Sequence, residues 1–360
     1  VAVVVLAHAG GRCTRLDDAS AVASCEPDSE IMQVVRDLPE GTVDVIAAGH
    51  THQGMAQTIR GVAVVESFSS GRSFSRVDLT IDRGSKTVTA RTIRPPQDVC
   101  ARVDAAGSCD PAGASAGRST ARYEGAEVRP EPAVTSAIER AVREAAVLKN
   151  KPLGVQIEGA LAPAAERESA LYDIVADGMR AAVPGADVAF GNGGGIRTEI
   201  PAGPLTYGRV YEVYPFDNRL ATLPMTGAQL TAILKANLER TEPPREILSI
   251  SGVRVVAACE GTTLTVTLTR PDGQPIAAGD TLTAVTSDFV ATGGDRVLAP
   301  AGPLPAATTP PGAPLVRDAV AEWLQRRGGT LSESQLVTDA TRRWVFPGTR
   351  PVRCVPGAGR

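Results

Sequence analysis

The chain has three histidines, His8, His50 and His52, and each stands just beyond a strongly apolar run. Val1–Ala7 precedes the first, and Val43–Ala48 precedes the pair. In open α/β sheets, ligand sites form outside the carboxyl ends of strands, so two such strands can bring these imidazoles to one rim. Neutral imidazole is a good ligand for Zn²⁺, Mn²⁺, Fe or Co²⁺. An extended Gly49–His52 segment would turn His50 and His52 to the same side. The competing explanation is a set of unrelated surface histidines following strand ends. A two-metal hydrolytic centre also needs carboxylates to hold its ions about 4 Å apart. Asp17 and Asp18, the nearest candidates, lie in a loop and lack ligand-like spacing.

A second group of residues suits a phosphate and a flat ring. Asn192-Gly193-Gly194-Gly195-Ile196-Arg197 follows a short apolar strand. Consecutive glycines permit close backbone approach, their amides can form an anion-receiving nest, and Arg197 adds a fork of donors. Asn192 supplies an amide that can orient a ligand oxygen or brace the loop. No compact strand–turn–helix continues from it, so it is not a dinucleotide fingerprint. Tyr214-Pro215-Phe216-Asp217-Asn218 places an aromatic in a proline-stiffened turn. Asp288-Phe289-Val290-Ala291-Thr292-Gly293-Gly294-Asp295 places another ahead of a Gly-Gly-Asp corner. With only six phenylalanines in the chain, two in polar turns suggest a sandwich for a base, with Asp295 accepting from sugar or ring donors. Base stacking on an aromatic is worth roughly 1–3 kcal/mol. Against this, the glycines can form a bare turn, and each Phe can plug its own loop.

These residues need elements to position them. At 360 residues the chain has room for two domains. In the first, the pattern predicts buried strands at Val1–Ala7 and Val43–Ala48, with a helix over Asp28–Leu38 between them. Asp28 or Ser29 would cap that helix, and Ile31, Val34, Val35 and Leu38 would form its apolar face. Further strands are expected at Val62–Glu66, Phe74–Ile81 and Thr87–Ile93. Residues 95–130 read as a linker or surface loop, and a helix is expected from Pro132 to Lys149. The second domain should carry strands at Leu153–Ile157, Asp187–Phe190, Val253–Ala258, Leu264–Thr269 and Thr281–Thr286. Helices should fall at Ser169–Ala182, Thr226–Leu238 and Leu315–Arg327. Ala299–Pro314 is rich in Pro and Ala and reads as a surface excursion. Trp344, Phe346 and a bridge at Cys354 would hold the last residues down.

Composition narrows the partners. Hydrophobic residues make up 43% and charged residues 21%, an ordinary globular balance, and the formal net charge is -3. Without a concentrated basic stripe, a nucleic-acid polymer is not expected as partner. No run approaches the roughly 18 apolar residues of a membrane span. The opening Val1-Ala2-Val3-Val4-Val5-Leu6 lacks an initiator Met and a basic leader, so residue 1 reads as an internal point of a longer polypeptide. The cysteines are Cys13, Cys25, Cys100, Cys109, Cys259 and Cys354, none in a CxxC spacing. Local bridges Cys13–Cys25 and Cys100–Cys109 are expected, which leaves Cys259 with Cys354. Such bridges suit an oxidising compartment; the alternative is a set of free thiols.

In combination the motifs resemble the 5′-nucleotidase family, which includes UDP-sugar hydrolases and 2′,3′-cyclic-nucleotide phosphodiesterases. Leu6-Ala7-His8-Ala9-Gly10 is similar to the late histidine segment of its calcineurin-like metallophosphoesterase domain, and Gly49-His50-Thr51-His52 to the closing GHxH motif. Asn192–Arg197, Pro215–Asn218 and Ala291–Asp295 follow the pattern of its C-terminal domain. The resemblance implies the C-terminal part of a metallophosphoesterase αββα sandwich over residues 1–93. A linker and connecting helix would occupy 94–151, the mixed α/β nucleotide-binding domain 152–328, and a tail 329–360. It implies two divalent metal ions (Zn, Mn, Co or Fe) in the intact parent, with His8, His50 and His52 among their ligands. Asn192, Arg197 and Arg167 would hold the phosphate side, Phe216 and Phe289 would clamp the base, and Asn218 and Asp295 would complete the substrate contacts. The family's other metal ligands and its catalytic His would lie upstream of Val1, so this chain alone should show little hydrolysis. The implied activity of the parent is hydrolysis of nucleotide phosphate esters to nucleoside and phosphate. Nucleotide-sugar pyrophosphatase, cyclic-nucleotide phosphodiesterase and non-catalytic nucleotide-binding module are the alternatives. A secreted, periplasmic or cell-surface location follows.

Overall fold

A computed structural model describes residues 2–104, 108–109, 119–164, 166–242 and 246–355. The chain forms two compact units, Val1–Ala137 and Ile138–Arg360. Both mix helices and strands, as the sequence predicts.

The first unit begins with β1 (Val4–Leu6), α1 (Glu30–Asp37), β2 (Val45–Ala47), β3 (Gly54–Ile59) and β4 (Val62–Ser67). Their sheet has the order β1-β2-β4-β3, with β1, β2 and β4 parallel and β3 antiparallel to β4. Ile31 and Val35 on α1 pack with Ile46, Met55 and Val64, all essentially buried. Val34, expected on that apolar face, is exposed, and Met32 takes its place in the core. β1 is not the buried strand its composition predicts: Val4 and Leu6 are 54% and 84% exposed. It stands at the sheet edge with β2 as its neighbour, and Val5 and Ala7 are the residues that turn toward the core. β3 was not anticipated, because Met55-Ala56-Gln57 is buried throughout and lacks period-2 alternation. Next come the hairpin β5 (Ser73–Asp82) and β6 (Thr87–Asp98) and the short pairs β7 (Arg102–Val103) with β8 (Ser119–Thr120) and β9 (Arg122–Tyr123) with β10 (Ala126–Glu127). α2 (Pro132–Lys149) runs across the boundary of the units, and no residue of it is buried.

The second unit contains β11 (Pro152–Ile157), α3 (Ala170–Ala181), β12 (Val188–Gly191), β13 (Gly203–Thr206), α4 (Tyr207–Val213), β14 (Leu220–Thr226) and α5 (Gly227–Glu239). β15 (Ser249–Ser251), β16 (Arg254–Glu260), β17 (Thr263–Thr269), β18 (Thr281–Ser287) and α6 (Asp288–Ala291) follow. α7 (Val316–Arg327), β19 (Gly329–Leu331), α8 (Glu333–Leu336) and β20 (Trp344–Val345) complete it. The central sheet has the order β14-β18-β12-β15. β19 pairs with β11 and β20 with β16, so the last segment is woven into two sheets. Helix starts are fixed locally: Ser169 caps α3 through the Tyr172 amide, and Thr226 and Gln229 form a capping box on α5.

The expected bridges Cys13–Cys25, Cys100–Cys109 and Cys259–Cys354 are all present. No helix among the described residues is long and apolar enough to cross a membrane.

Candidate functional site

Sheet geometry decides where the second unit's polar loops meet. β12 and β18 are parallel neighbours, pairing Val188 with Ala284 and Ala189 with Val285. Their carboxyl ends therefore reach the same edge, where β12 leads into Asn192–Arg197 and β18 into Asp288–Asp295. β14 runs antiparallel to β18 and pairs Leu220 with Ser287, so the Phe216–Arg219 segment arrives at that edge too. Crevices beyond strand carboxyl ends are where open α/β sheets bind ligands.

Side chains then tie the three loops together. The Asn192 amide, in a residue 8% exposed, donates to Asp295 Oδ2 at 2.7 Å. Asn218 Nδ2 donates to Asp288 Oδ1 at 2.9 Å, and the same oxygen accepts the Phe289 amide at 2.8 Å. Asn192 and Asn218 thus brace the loops in the free protein. Arg197 is exposed, donates to the Gly194 carbonyl at 3.0 Å, and sets its guanidinium 6.0 Å from the Phe216 ring centre. Tyr214 meets the Phe216 ring edge-on at 5.9 Å. Burial pushes the Tyr214 hydroxyl up to about 12, with Asp288 and Asp295 adding to the shift, so it stays protonated.

Phe216 and Phe289 are 40% and 42% exposed. Large apolar rings left in water at a polar loop cluster are available for stacking. Phe289 has a visible reason for its position. A Cβ on Gly294 would lie 2.4 Å from the Phe289 ring, so the Gly-Gly corner is the seat of that ring. Asp295 and Arg296 then take left-handed backbone at φ 53. Such conformations cost roughly 1–3 kcal/mol each and persist where the surroundings hold them. Here Arg240 helps, donating to the Asp295 carbonyl at 3.0 Å. Gly294→Ala should displace the Phe289 ring. If that ring stacks on a base, adenosine affinity should fall at least about fivefold; an unchanged affinity in a calorimetric titration would count against the stack.

The triple glycine has a packing role as well as an open one. A Cβ on Gly193 would lie 2.3 Å from Glu246, and one on Gly195 2.9 Å from the Tyr214 ring. Gly194 faces Asp295 Oδ2 and Asn192 Nδ2 at 3.8 and 3.9 Å from such a Cβ. The amides of Gly195 and Ile196 are bonded within a 3₁₀ turn, to the Asn192 and Gly193 carbonyls. Arg167 is exposed before α3 and makes no hydrogen bond or ion pair with the cluster among the described residues. Its neighbour Glu168 accepts the Arg343 amide at 2.8 Å and the Trp344 amide at 2.9 Å. The residues that sequence reasoning missed are Asp288, Arg240 and Arg317. Each acts through a contact distant in sequence, which no local pattern reports.

In the first unit, His50 Nδ1 lies 3.1 Å from His8 Nε2, and Glu30 is 3.7 Å from His50 Nε2. His50 and His52 have φ values of 83 and 57, so the segment is not extended and the two imidazoles do not share a strand face. His8 and His50 come together, and His52 forms no hydrogen bond with either. Two imidazole nitrogens at this spacing suit one shared ion with bonds of about 2.0–2.1 Å. Yet among the described residues no group of three or more His, Cys, Asp and Glu is placed to hold a metal. The donor set does not fit a two-metal centre by itself.

Residues 145–301 match the 5′-nucleotidase C-terminal domain. This stretch of the chain is thus a 5′-nucleotidase C-terminal domain. The match includes all three loops of the cluster. Among curated relatives, endonuclease YhcR of Bacillus subtilis is 29% identical over 293 residues, covering 81% of this chain and 21% of that protein. Cell wall protein Lmo0130 of Listeria monocytogenes is 26% identical, covering 82% of this chain and 37% of its own. Trifunctional nucleotide phosphoesterase YfkN of B. subtilis is 32% identical, covering 41% of this chain and 11% of its own. The chain therefore spans 37% or less of the length of these relatives. A 5′-nucleotidase precursor from Thermus thermophilus has the same fold with a TM-score of 0.50 at 22% identity, covering 81% of this chain and 60% of that one. A provisionally assigned 5′-nucleotidase from Staphylococcus aureus aligns with a TM-score of 0.56 at 13% identity, covering 96% and 63%.

Proposed function

We propose that this chain is the nucleotide-binding part of a metal-dependent phosphoesterase that releases nucleoside and phosphate from nucleotides. The observation that supports the reading best is the convergence of Phe216, Phe289, Arg197 and Asp295 at one sheet edge, with Asn192 bonded to Asp295 at 2.7 Å. Phe216 and Phe289 would stack on the base and Asp295 would accept from the ribose or ring. Arg197 would meet the phosphate, as Arg167 would if its segment swings inward. Nucleotide phosphoesterase activity belongs by name to the relative YfkN, and it comes to this chain by similarity.

Two divalent ions, Zn, Mn, Co or Fe, are proposed for the intact protein, where such ions polarise phosphoryl oxygens and activate water. His8 and His50, with His52, would contribute part of their ligand set. No step of hydrolysis is assigned to these residues. A cell-surface or secreted setting fits the three bridges and the relative described as a cell wall protein.

Product analysis with the full-length protein is the test, following free phosphate, nucleoside monophosphates and oligonucleotides from AMP, UDP-glucose, a 2′,3′-cyclic nucleotide and single-stranded RNA, each supplied with Mn²⁺ or Zn²⁺. AMP should be hydrolysed and chelation should abolish turnover. Hydrolysis of RNA alone would replace the nucleotide reading, since one relative is named an endonuclease. A second reading is a nucleotide-binding module without turnover. Tight AMP binding with no phosphate release in any metal would establish it.

A further inference from the structure

The geometry points to Arg317 as the positioning residue of the Phe216 stacking ring, and hence as a determinant of nucleoside affinity. The inference rests on the nucleotide-binding reading above. Arg317 lies in the first turn of α7, outside the residues 145–301 that match the family domain. It is only 8% exposed, an uncommon place for a guanidinium without a task. Its NH1 donates to the Phe216 carbonyl at 2.7 Å, and its NH2 pairs with Asp217 Oδ1 at 2.5 Å. Its guanidinium stacks 4.8 Å from the Tyr211 ring centre, so the fork is fixed from behind.

The adjoining contacts extend the grip. The Val316 amide donates to the Asn218 carbonyl at 2.9 Å, and the Leu220 amide to the Pro314 carbonyl at 3.0 Å. Arg219 NH1 donates to the Ala313 carbonyl at 2.6 Å. Phe216 to Leu220 is therefore laced residue by residue to 313–317. Of these contacts, those of Arg317 are the ones that reach Phe216 itself. An exposed ring binds a base well only if its backbone is already held, because ordering it on binding would consume part of the stacking energy. Arg317 holds that backbone from beneath while leaving the ring free. Lysine could keep the charge but not the planar fork that serves a carbonyl and a carboxylate together.

A double-mutant cycle on the 360-residue chain tests this, with adenosine as titrant and melting temperature followed in parallel. Phe216→Ala should weaken adenosine about tenfold. Arg317→Lys should weaken it by about three- to tenfold, and the double variant should be no weaker than Phe216→Ala alone. A role limited to stability would lower the melting temperature and leave the affinity of the folded fraction unchanged. Asp217→Asn, at a side chain 81% exposed, should weaken adenosine about twofold or more without a change in melting temperature. That variant keeps the proposal open to refutation if Arg317→Lys does not fold. Unchanged affinity in both Arg317→Lys and Asp217→Asn, or a full multiplicative loss in the double variant, would overturn the positioning role. No loss in Phe216→Ala would instead overturn the stacking reading, and the positioning role with it.

Discussion

Replacing Arg343 by Ala is expected to destabilise the second unit by about 3–5 kcal/mol, the usual cost of removing one partner from a buried ion pair. Its guanidinium lies 3.5 Å from Asp173 Oδ2 and 2.8 Å from Asp177 Oδ2, and it also donates to the Ile250 carbonyl. The Asp177 carboxylate would lose its partner at 2.8 Å, and the Ile250 and Asp173 carbonyls a donor. Burial pushes the Asp173 carboxyl from 3.8 up to about 9, although Arg343 pulls the other way. The folded state thus holds a proton that the unfolded chain releases in acid. This contribution to stability is complete below about pH 4 and is lost as pH rises toward about 9. Asp173→Asn should flatten stability across that window and cost little at neutral pH. Urea unfolding across the window measures both effects. An Arg343→Ala loss below about 1 kcal/mol would mean that the network is not coupled to folding.

The second large effect is expected at the Cys259–Cys354 bridge, which closes a loop with a sequence separation of 95. Converting both cysteines to Ala should cost about 2–5 kcal/mol, since long loops lose most when a cross-link is removed. The bridge fastens the end of β16 to the chain beyond β20, and β20 itself pairs with β16 at Val255 and Val256. The Val352 amide further donates to the Leu238 carbonyl at 2.9 Å. Comparing the melting of the double variant with that of the wild type, both without reductant, measures the loss. An unchanged melting temperature would mean that these hydrogen bonds alone retain the C-terminal segment.

Much of this architecture is readable in the sequence where local patterns decide it. α2 is legible as a helix, the buried β2, β4, β12 and β18 follow from apolar runs, and two cysteine pairs follow from loop spacing with the third left by elimination. What escaped depends on neighbours. β1 has a buried composition but an edge position, which hydropathy cannot distinguish. β13, β14 and β15 lie in stretches interrupted by Gly, Pro or Ser. At the candidate site, the scarcity of Phe picks out Phe216 and Phe289, and the glycines mark the corners. The register that brings β12, β14 and β18 to one edge is a tertiary fact. So is the choice of Asp288, Arg240 and Arg317 as supports, each bonded to residues more than fifty positions away. The histidine motif is plain in sequence, yet the left-handed backbone at His50 and His52 was not, because non-glycine residues seldom adopt it.

The second unit's loop cluster should recognise a nucleoside and its phosphate as separate features. Calorimetric titration of the 360-residue chain with adenosine and with AMP, in the wild type, Phe289→Ala and Arg197→Ala, measures this. Phe289→Ala should weaken both ligands alike, by about five- to 150-fold. Arg197→Ala should weaken AMP by about tenfold or more while changing adenosine much less, because only AMP carries the phosphate. Binding of neither ligand by the folded wild type, or equal losses of both ligands in Arg197→Ala with none in Phe289→Ala, would contradict it.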